Sequence, residues 1–201
     1  MIPKPQQRIK PPAPRGSARP GGRTERVRKS VLGAVLQRLA AGDLGFTFQD
    51  IASIAGVHVA TIYSRWPERA SLVMAAYEEH VRKLDIEFSG DWEADLHKLG
   101  IALRDFLRDP IEVAANKLLL VAGEEAYRGQ MMQRFESVVR ELARPLEAAK
   151  KAGLVRRDVD SMLVVHMILS PLLAWIMFTD RIPDDTYVRT LVDHMIRGCR
   201  A

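Results

Sequence analysis

The chain is poor in the residues that build metal and disulfide scaffolds. It has one cysteine in 201 residues, Cys199, so it can form no internal disulfide and no thiolate zinc site. The lone thiol suits a reducing, cytoplasmic compartment. No Gly-rich phosphate loop opens a helix after a strand, and no His-Glu-x-x-His or Cys-x-x-Cys spacing is present. The five histidines (His58, His80, His97, His166, His194) are scattered. Glu124 and Glu125 are adjacent, so on a helix they face different sides and are not a carboxylate pair. Catalysis, a metal and a bound cofactor are therefore not expected. The first 22 residues lack the apolar stretch of a secretory signal and the periodic apolar residues of a transit helix. After Arg69 no useful run of β-alternation occurs, so the expected fold class is all-α.

What is present is a soluble composition, 47% hydrophobic and 27% charged, which excludes a disordered, collagenous or multi-span membrane chain. The length suits one ordinary domain, or a small domain joined to a larger one. Charge is uneven. Residues 1–30 carry nine Lys or Arg against one acid, Glu25, a net charge of +8, so the rest of the chain sums to −3. A basic arm of this kind suits DNA, RNA or an anionic membrane surface, and equally a solvated tail. Its Pro- and Gly-rich first 22 residues are expected to be flexible, with order starting near Thr24 as a helix cap.

Apolar residues Val27, Val31, Leu32, Val35, Leu36 and Leu39 form one helical stripe, ended by Gly42 and Gly45. Thr47, with Asp50 three residues on, makes a capping-box pattern for a short second helix. Gly56 supplies the left-handed turn. A third helix is expected over Val59–Trp66, stopped by Pro67, and a fourth from Glu68 through Leu84. Ala52 is small where the second and third helices would cross, and Ile51, Val57 and Ile62 would lock their angle. This is a helix-turn-helix pattern, which an ordinary αα-corner can also show.

Thr47–Val73 resembles the DNA-binding domain of TetR-family transcriptional regulators. The family pattern is met by Ile51-Ala52, Ala55-Gly56-Val57, Tyr63, Trp66, Arg69 and Leu72. Three positions depart from it: His58 stands for the usual Ser, Trp66 for Phe, and Arg69-Ala70 for Lys-Glu. His58 leaves the usual capping of the third helix open. The region Ala152–Gly198 is also similar to the C-terminal part of many members, in architecture more than in motif.

In the remainder, one helix is marked by Trp92 to Leu107 and closed by Asp109-Pro110. A second is marked by Val113 and Leu118 to Val121. A third runs from Met131 through Leu142 and Leu146, with Lys150, Lys151 and Gly153 as stop signals. A fourth starts at Asp158 or Asp160, and a fifth follows Pro183. Ser161–Thr179 holds no formal charge and is long enough to span a membrane. It contains Ser161, His166, Ser170, Pro171 and Thr179, and Asp158, Asp160 and Asp180 flank it without charge asymmetry, so a buried or interface helix is the expected alternative. The resemblance implies that alternative, with the last two helices, roughly Asp158–Thr179 and Asp184–Arg200, forming a homodimer interface and no membrane contact.

The expected organisation is a flexible arm over 1–22, a helix-turn-helix head over 23–70 and a ligand-binding and dimerisation body over 71–201. The third helix would enter the major groove of a double-stranded operator. His58, Val59, Ala60, Thr61, Tyr63 and Arg65 lie on it or at its edges; Val59 and Ala60 could touch thymine methyls, and Thr61 a base edge or phosphate. Tyr63, Thr47 and Arg69 are phosphate candidates, and Arg23, Arg26 and Arg28 candidates for a minor groove. The resemblance implies a ligand cavity among the middle helices. Its lining candidates are Leu103, Phe106, Leu107, Leu119, Tyr127, Met131, Phe135, His166, Met167, Ser170 and Trp175, which suit an apolar or aromatic small molecule. The implied function is a ligand-released regulator, commonly a repressor. Two alternatives are a regulator of the same fold without a small-molecule trigger, and a helical dimerisation module whose arm binds anionic lipid.

Overall fold

A computed structural model of the protein describes residues 22–81, 86–121, 125–179 and 181–201. The arm up to residue 21, Leu84, Glu124 and Asp180 lie outside the described residues. Among those described there are ten α-helices and no strand: α1 (Arg23–Ala40), α2 (Phe48–Ala55), α3 (Val59–Tyr63), α4 (Arg69–Val81), α5 (Trp92–Leu107), α6 (Pro110–Leu118), α7 (Glu125–Leu142), α8 (Arg144–Lys151), α9 (Ser161–Thr179) and α10 (Asp185–Cys199). One isolated bridge, Val155 with Arg200, ties the C-terminus to the α8–α9 loop.

Local chemistry explains most of the boundaries. The Thr47 hydroxyl accepts from the Asp50 N–H at 3.2 Å while the Thr47 N–H donates to the Asp50 carboxylate at 2.7 Å, a complete capping box. Gly56 closes α2 at φ 66°, ψ 38°, where a Cβ would be strained. Asp160 receives the Met162 and Leu163 N–H groups at the start of α9, and Asp184 that of Tyr187 at the start of α10.

Four expectations need correction. The first helix begins one residue before Thr24, with Gly22 as its N-cap and no side-chain cap, so Thr24 sits inside the first turn. α3 ends at Tyr63, because Trp66 precedes Pro67 and is driven from helical backbone; the Arg65 N–H instead closes a tighter turn onto the Ile62 carbonyl. Asp109-Pro110 does more than close α5. The Asp109 carboxylate accepts from the Ile111 N–H at 2.8 Å and Pro110 opens α6, which therefore starts before Val113 and stops at Leu118. The single helix expected from Met131 to Leu146 is two, α7 and α8, because Pro145 has no N–H to continue the ladder.

The helices pack into two apolar clusters. The first joins α1, α2, α3 and α4 around Leu32, Leu39, Ile51, Ile62 and Leu72, and continues into Ala115 and Leu118 of α6 and Tyr127 and Met131 of α7. It crosses the head–body boundary expected near residue 70 without interruption. The second gathers α5, α8, α9 and α10 around Leu96, Leu99, Leu146, Ile168, Leu172 and Val192. Within it α5 and α10 approach closely at Gly100, where a Cβ would sit 2.8 Å from Val192 Cγ2 and 3.1 Å from Val188 Cγ1. Gly100→Ala will therefore lower stability by ~1–3 kcal/mol through overpacking, read as a lower midpoint in denaturant with an unchanged slope.

α9 is long and apolar enough to cross a membrane by length and composition. One face, with Val165, Ile168 and Leu172, is fully buried in the second cluster. The opposite stripe, Leu163, Met167, Ser170, Ala174 and Phe178, is exposed at helical spacing, with Phe178 81% exposed.

Candidate nucleic-acid interface and internal cavity

The two short helices of the head are held rigidly by what lies beneath them. Ile51, Ala52 and Ile62 are buried and Val57 packs against the same cluster, so α2 and α3 share one hydrophobic underside. Above it, His58 and Ala60 are exposed and Thr61 is half-buried. Tyr63 is 54% exposed, and its ring leans on Phe48 with centroids 4.5 Å apart, which presents the hydroxyl outward on a braced ring. His58 stands at the N-cap of α3 and makes no side-chain cap, leaving its ring free of the helix terminus. α3 thus offers a compact exposed face of His58, Ala60, Thr61 and Tyr63, small enough to approach base edges.

The remaining candidates divide. Arg26 is exposed on α1. The side chain of Arg23 is outside what the structure describes. Thr47 is exposed but engaged in its capping box. Val59 is turned toward the core of the head rather than outward. Arg65 is exposed and donates to the Thr24 carbonyl at 3.1 Å, tying the end of α3 to the start of α1. Arg28 donates to Glu79 of α4 at 3.3 Å, with Glu25 also near, so its guanidinium pins α1 to α4. Arg69 donates to the Leu44 carbonyl and lies over the Phe46 ring at 4.8 Å, which braces the loop before α2.

A cavity of about 230 Å³ lies where the two apolar clusters meet, bordered by α4, α5, α6, α7 and α9 and reaching the surface at the exposed Met132 and Ser170. Seven of the candidates line it: Leu103, Phe106, Leu107, Leu119, Met131, Phe135 and Ser170. Four do not. Tyr127 is fully buried and donates to the Ala115 carbonyl at 3.1 Å. His166 stacks on Phe135 from outside the lining, with centroids 5.5 Å apart. Met167 is 45% exposed on the outer stripe of α9, and Trp175 packs on Tyr187. These four share the helical spacing of the lining residues, and spacing does not say which neighbour a face meets.

The wall also has a polar part, outside the residues that the sequence marks as lining. Tyr77 on α4 and Glu112 and Asn116 on α6 line the cavity, with Arg134 of α7 at its edge. The Tyr77 hydroxyl donates to Glu112 Oε2 at 3.1 Å. His80, also buried, places Nε2 3.2 Å from Glu112 Oε1, close enough for a strong electrostatic contact but without hydrogen-bond alignment. Its ring stacks on Phe106 at 5.4 Å. Burial pushes the Glu112 carboxyl above the ordinary range, against the opposing pull of His80. Burial and the adjacent carboxylate likewise raise the Tyr77 phenol, which stays protonated and donates. The one available signal was the spacing of Tyr77 and His80, three apart on one helix face.

α6 is also the structural link between cavity and head. Glu112 and Asn116 face the cavity, while Val113, Ala114 and Lys117 form a groove with Leu39–Gly42 at the end of α1.

An exposed short helix braced in a helix-turn-helix head, joined through shared packing to a helical body with an internal cavity, defines a DNA-binding transcriptional regulator. Residues 86–195 match the family described as Tetracyclin repressor-like, C-terminal domain. The chain is 28% identical over 189 residues to the uncharacterised HTH-type transcriptional regulator YdeS of Bacillus subtilis (strain 168), covering 89% of this chain and 92% of that one. Among solved structures, a TetR transcriptional regulator from Agrobacterium tumefaciens aligns over 90% of this chain and 96% of its own, at TM-score 0.72 and 19% identity. The fatty acid degradation regulator FadR from Bacillus halodurans aligns over 86% and 99%, at TM-score 0.68 and 18% identity. The chain belongs to the TetR family, and is a regulator of transcription rather than an enzyme.

Proposed function

We propose that the protein is a repressor that binds a palindromic operator as a homodimer in the cytoplasm and is released when a small molecule enters its cavity. The observation that carries this reading is the two-sided placement of α6. A ligand touching Glu112 or Asn116 acts on the same rigid nine-residue helix that abuts the end of α1. Any ligand that favours the arrangement of α6 and α1 unsuited to DNA must lower DNA affinity by the same coupling free energy.

In this reading residues 23–70 are the reading head, residues 71–201 the sensing and dimerising body, and residues 1–22 a basic arm that adds salt-dependent affinity through counterion release. His58, Ala60, Thr61 and Tyr63 meet the major groove, and Arg26 lies toward the flanking backbone. The interface is the apolar stripe of α9, with α10 beside it. The outer face of α10, with Arg189, Thr190, His194 and Arg197, is polar and suits the rim of such an interface. Two heads in one dimer demand half-sites about one DNA turn apart, ~34–36 Å, or a multiple.

Selection of fragments of the source genome by the purified protein at physiological salt tests this, with Tyr63→Ala as the control. An enriched inverted repeat is expected, bound ~10–100-fold more weakly by the Tyr63→Ala protein. Enrichment unaffected by Tyr63→Ala, or none at all, would overturn the assignment of α3 as the reader.

A further inference from the structure

The polar groups of the cavity have a definite charge balance. Only Glu112 and Arg134 among the lining residues carry formal charge. Glu112 is engaged on both carboxylate oxygens, Oε2 by the Tyr77 hydroxyl at 3.1 Å and Oε1 by His80 Nε2 at 3.2 Å, with Asp109 3.9 Å from the same His80 nitrogen. Arg134, by contrast, has no such partner. It forms no ion pair within 4 Å among the described residues, and its Nε is buried without a hydrogen-bond partner. Glu78 shares an adjoining open groove with Arg134 but makes no ion pair with it. The Arg134 charge also reaches the cavity interior, where it opposes part of the upward shift of the Tyr77 phenol. The rest of the wall, including Leu103, Phe106, Leu119 and Phe135, is apolar.

We infer that the cavity takes an amphipathic monocarboxylate, its carboxylate paired with Arg134 and its hydrocarbon or aryl body lying among Leu103, Phe106 and Phe135. The inference rests on the reading of the cavity as a ligand site and adds the chemical class of the ligand. A planar guanidinium with a free N–H edge matches a carboxylate better than it matches a neutral hydroxyl, and it repels an amine. The volume sets the size. At about 230 Å³ the cavity has room for the body of a medium-chain or arylalkyl acid.

Titration calorimetry of the full chain with octanoate, 1-octanol and octylamine at neutral pH tests this. Octanoate is expected to bind at least tenfold more tightly than octanol, with octylamine weakest. Arg134→Gln should abolish that preference and leave octanol binding unchanged, and Arg134→Lys should restore part of it. Octanol or octylamine binding as tightly as octanoate would overturn the carboxylate assignment while leaving the cavity as a ligand site. So would an octanoate preference that survives Arg134→Gln. No binding of any of the three at millimolar concentration would overturn both. A Leu103→Trp protein that fills the cavity and still binds octanoate would place the acid elsewhere and overturn the inference, with circular dichroism confirming that the variant is folded.

Discussion

Replacing Met167 and Phe178 together by aspartate will convert the protein to a monomer and lower its operator affinity by ~10²–10⁴-fold. Both side chains lie on the outward stripe of α9, Met167 45% and Phe178 81% exposed. Neither contributes to the buried face of that helix, so the fold of the single chain should survive the change. An exposed apolar stripe of this length in a soluble chain marks a contact surface. Two carboxylates introduced there would face two more across a symmetric interface, because an isologous contact presents every residue to its own copy or its near neighbour. The loss in DNA affinity follows from geometry. A dimer tethers the second head at high local concentration once the first has bound, and a monomer forfeits that term entirely. Sedimentation equilibrium and operator titration check the two parts separately. A double variant that remains dimeric and binds DNA normally would move the interface away from α9. A monomer that binds DNA normally would remove the need for two heads.

Asp95→Ala will destabilise the chain by ~3 kcal/mol, equivalent to a fall of about 6–12 °C in the melting midpoint for a domain of this size. Asp95 is buried in the first turns of α5 and organises the loop that leads into it. Its Oδ1 accepts from the Ser89 N–H at 2.7 Å and the Ser89 hydroxyl at 2.8 Å, and its Oδ2 from the Gly90 N–H at 3.0 Å. Burial opposes ionisation, but these three bonds outweigh it and the carboxyl lies below the ordinary carboxylate range. Alanine would remove three charge-assisted bonds at once and release the loop, although the exposed Ser89 and Gly90 donors can then turn to water. Asp95→Asn keeps the shape and one acceptor, so it should cost less. The pH dependence follows from the direction of the shift. The folded-state value is lower than the unfolded one, so the contribution is complete above the unfolded value, about pH 4, and is lost as pH falls through the folded value. The gap in stability between the natural chain and Asp95→Ala should therefore be constant near neutrality and narrow below about pH 4. Thermal melts of both proteins across that range are the measurement. A gap that does not change with pH would mean the ionised carboxylate is not what holds the loop.

The parts of the protein that could be read from residue order are those with short-range causes. Thr47, Asp50 and Gly56 specify the second helix through contacts no more than a few residues apart, and they occur as read. Asp160 opens α9 for the same reason. The break between α7 and α8 also had a local cause, Pro145, and was legible although the apolar spacing ran across it. The underside that α2 and α3 share, Ile51 from one and Ile62 from the other, is apolar in the sequence itself, which leaves the opposite face of α3 outward.

Arginine roles were not legible in this way. By charge and position Arg28 suits a minor groove and Arg69 a phosphate, yet one is paired with Glu79, 51 residues distant, and the other holds the Leu44 carbonyl and covers Phe46. The cavity wall has the same origin. Tyr77, His80, Glu112 and Arg134 come from three helices, and no spacing in the chain announces that they converge. Seven of the lining candidates reach the cavity and Tyr127, His166, Met167 and Trp175 do not, although helical spacing selects both groups alike. Periodicity tells which residues share one face of a helix. The crossing angles and contacts of the packed helices choose what that face meets, and with it whether a buried polar side chain becomes a satisfied core group, a strut between helices or the recognising end of a ligand site.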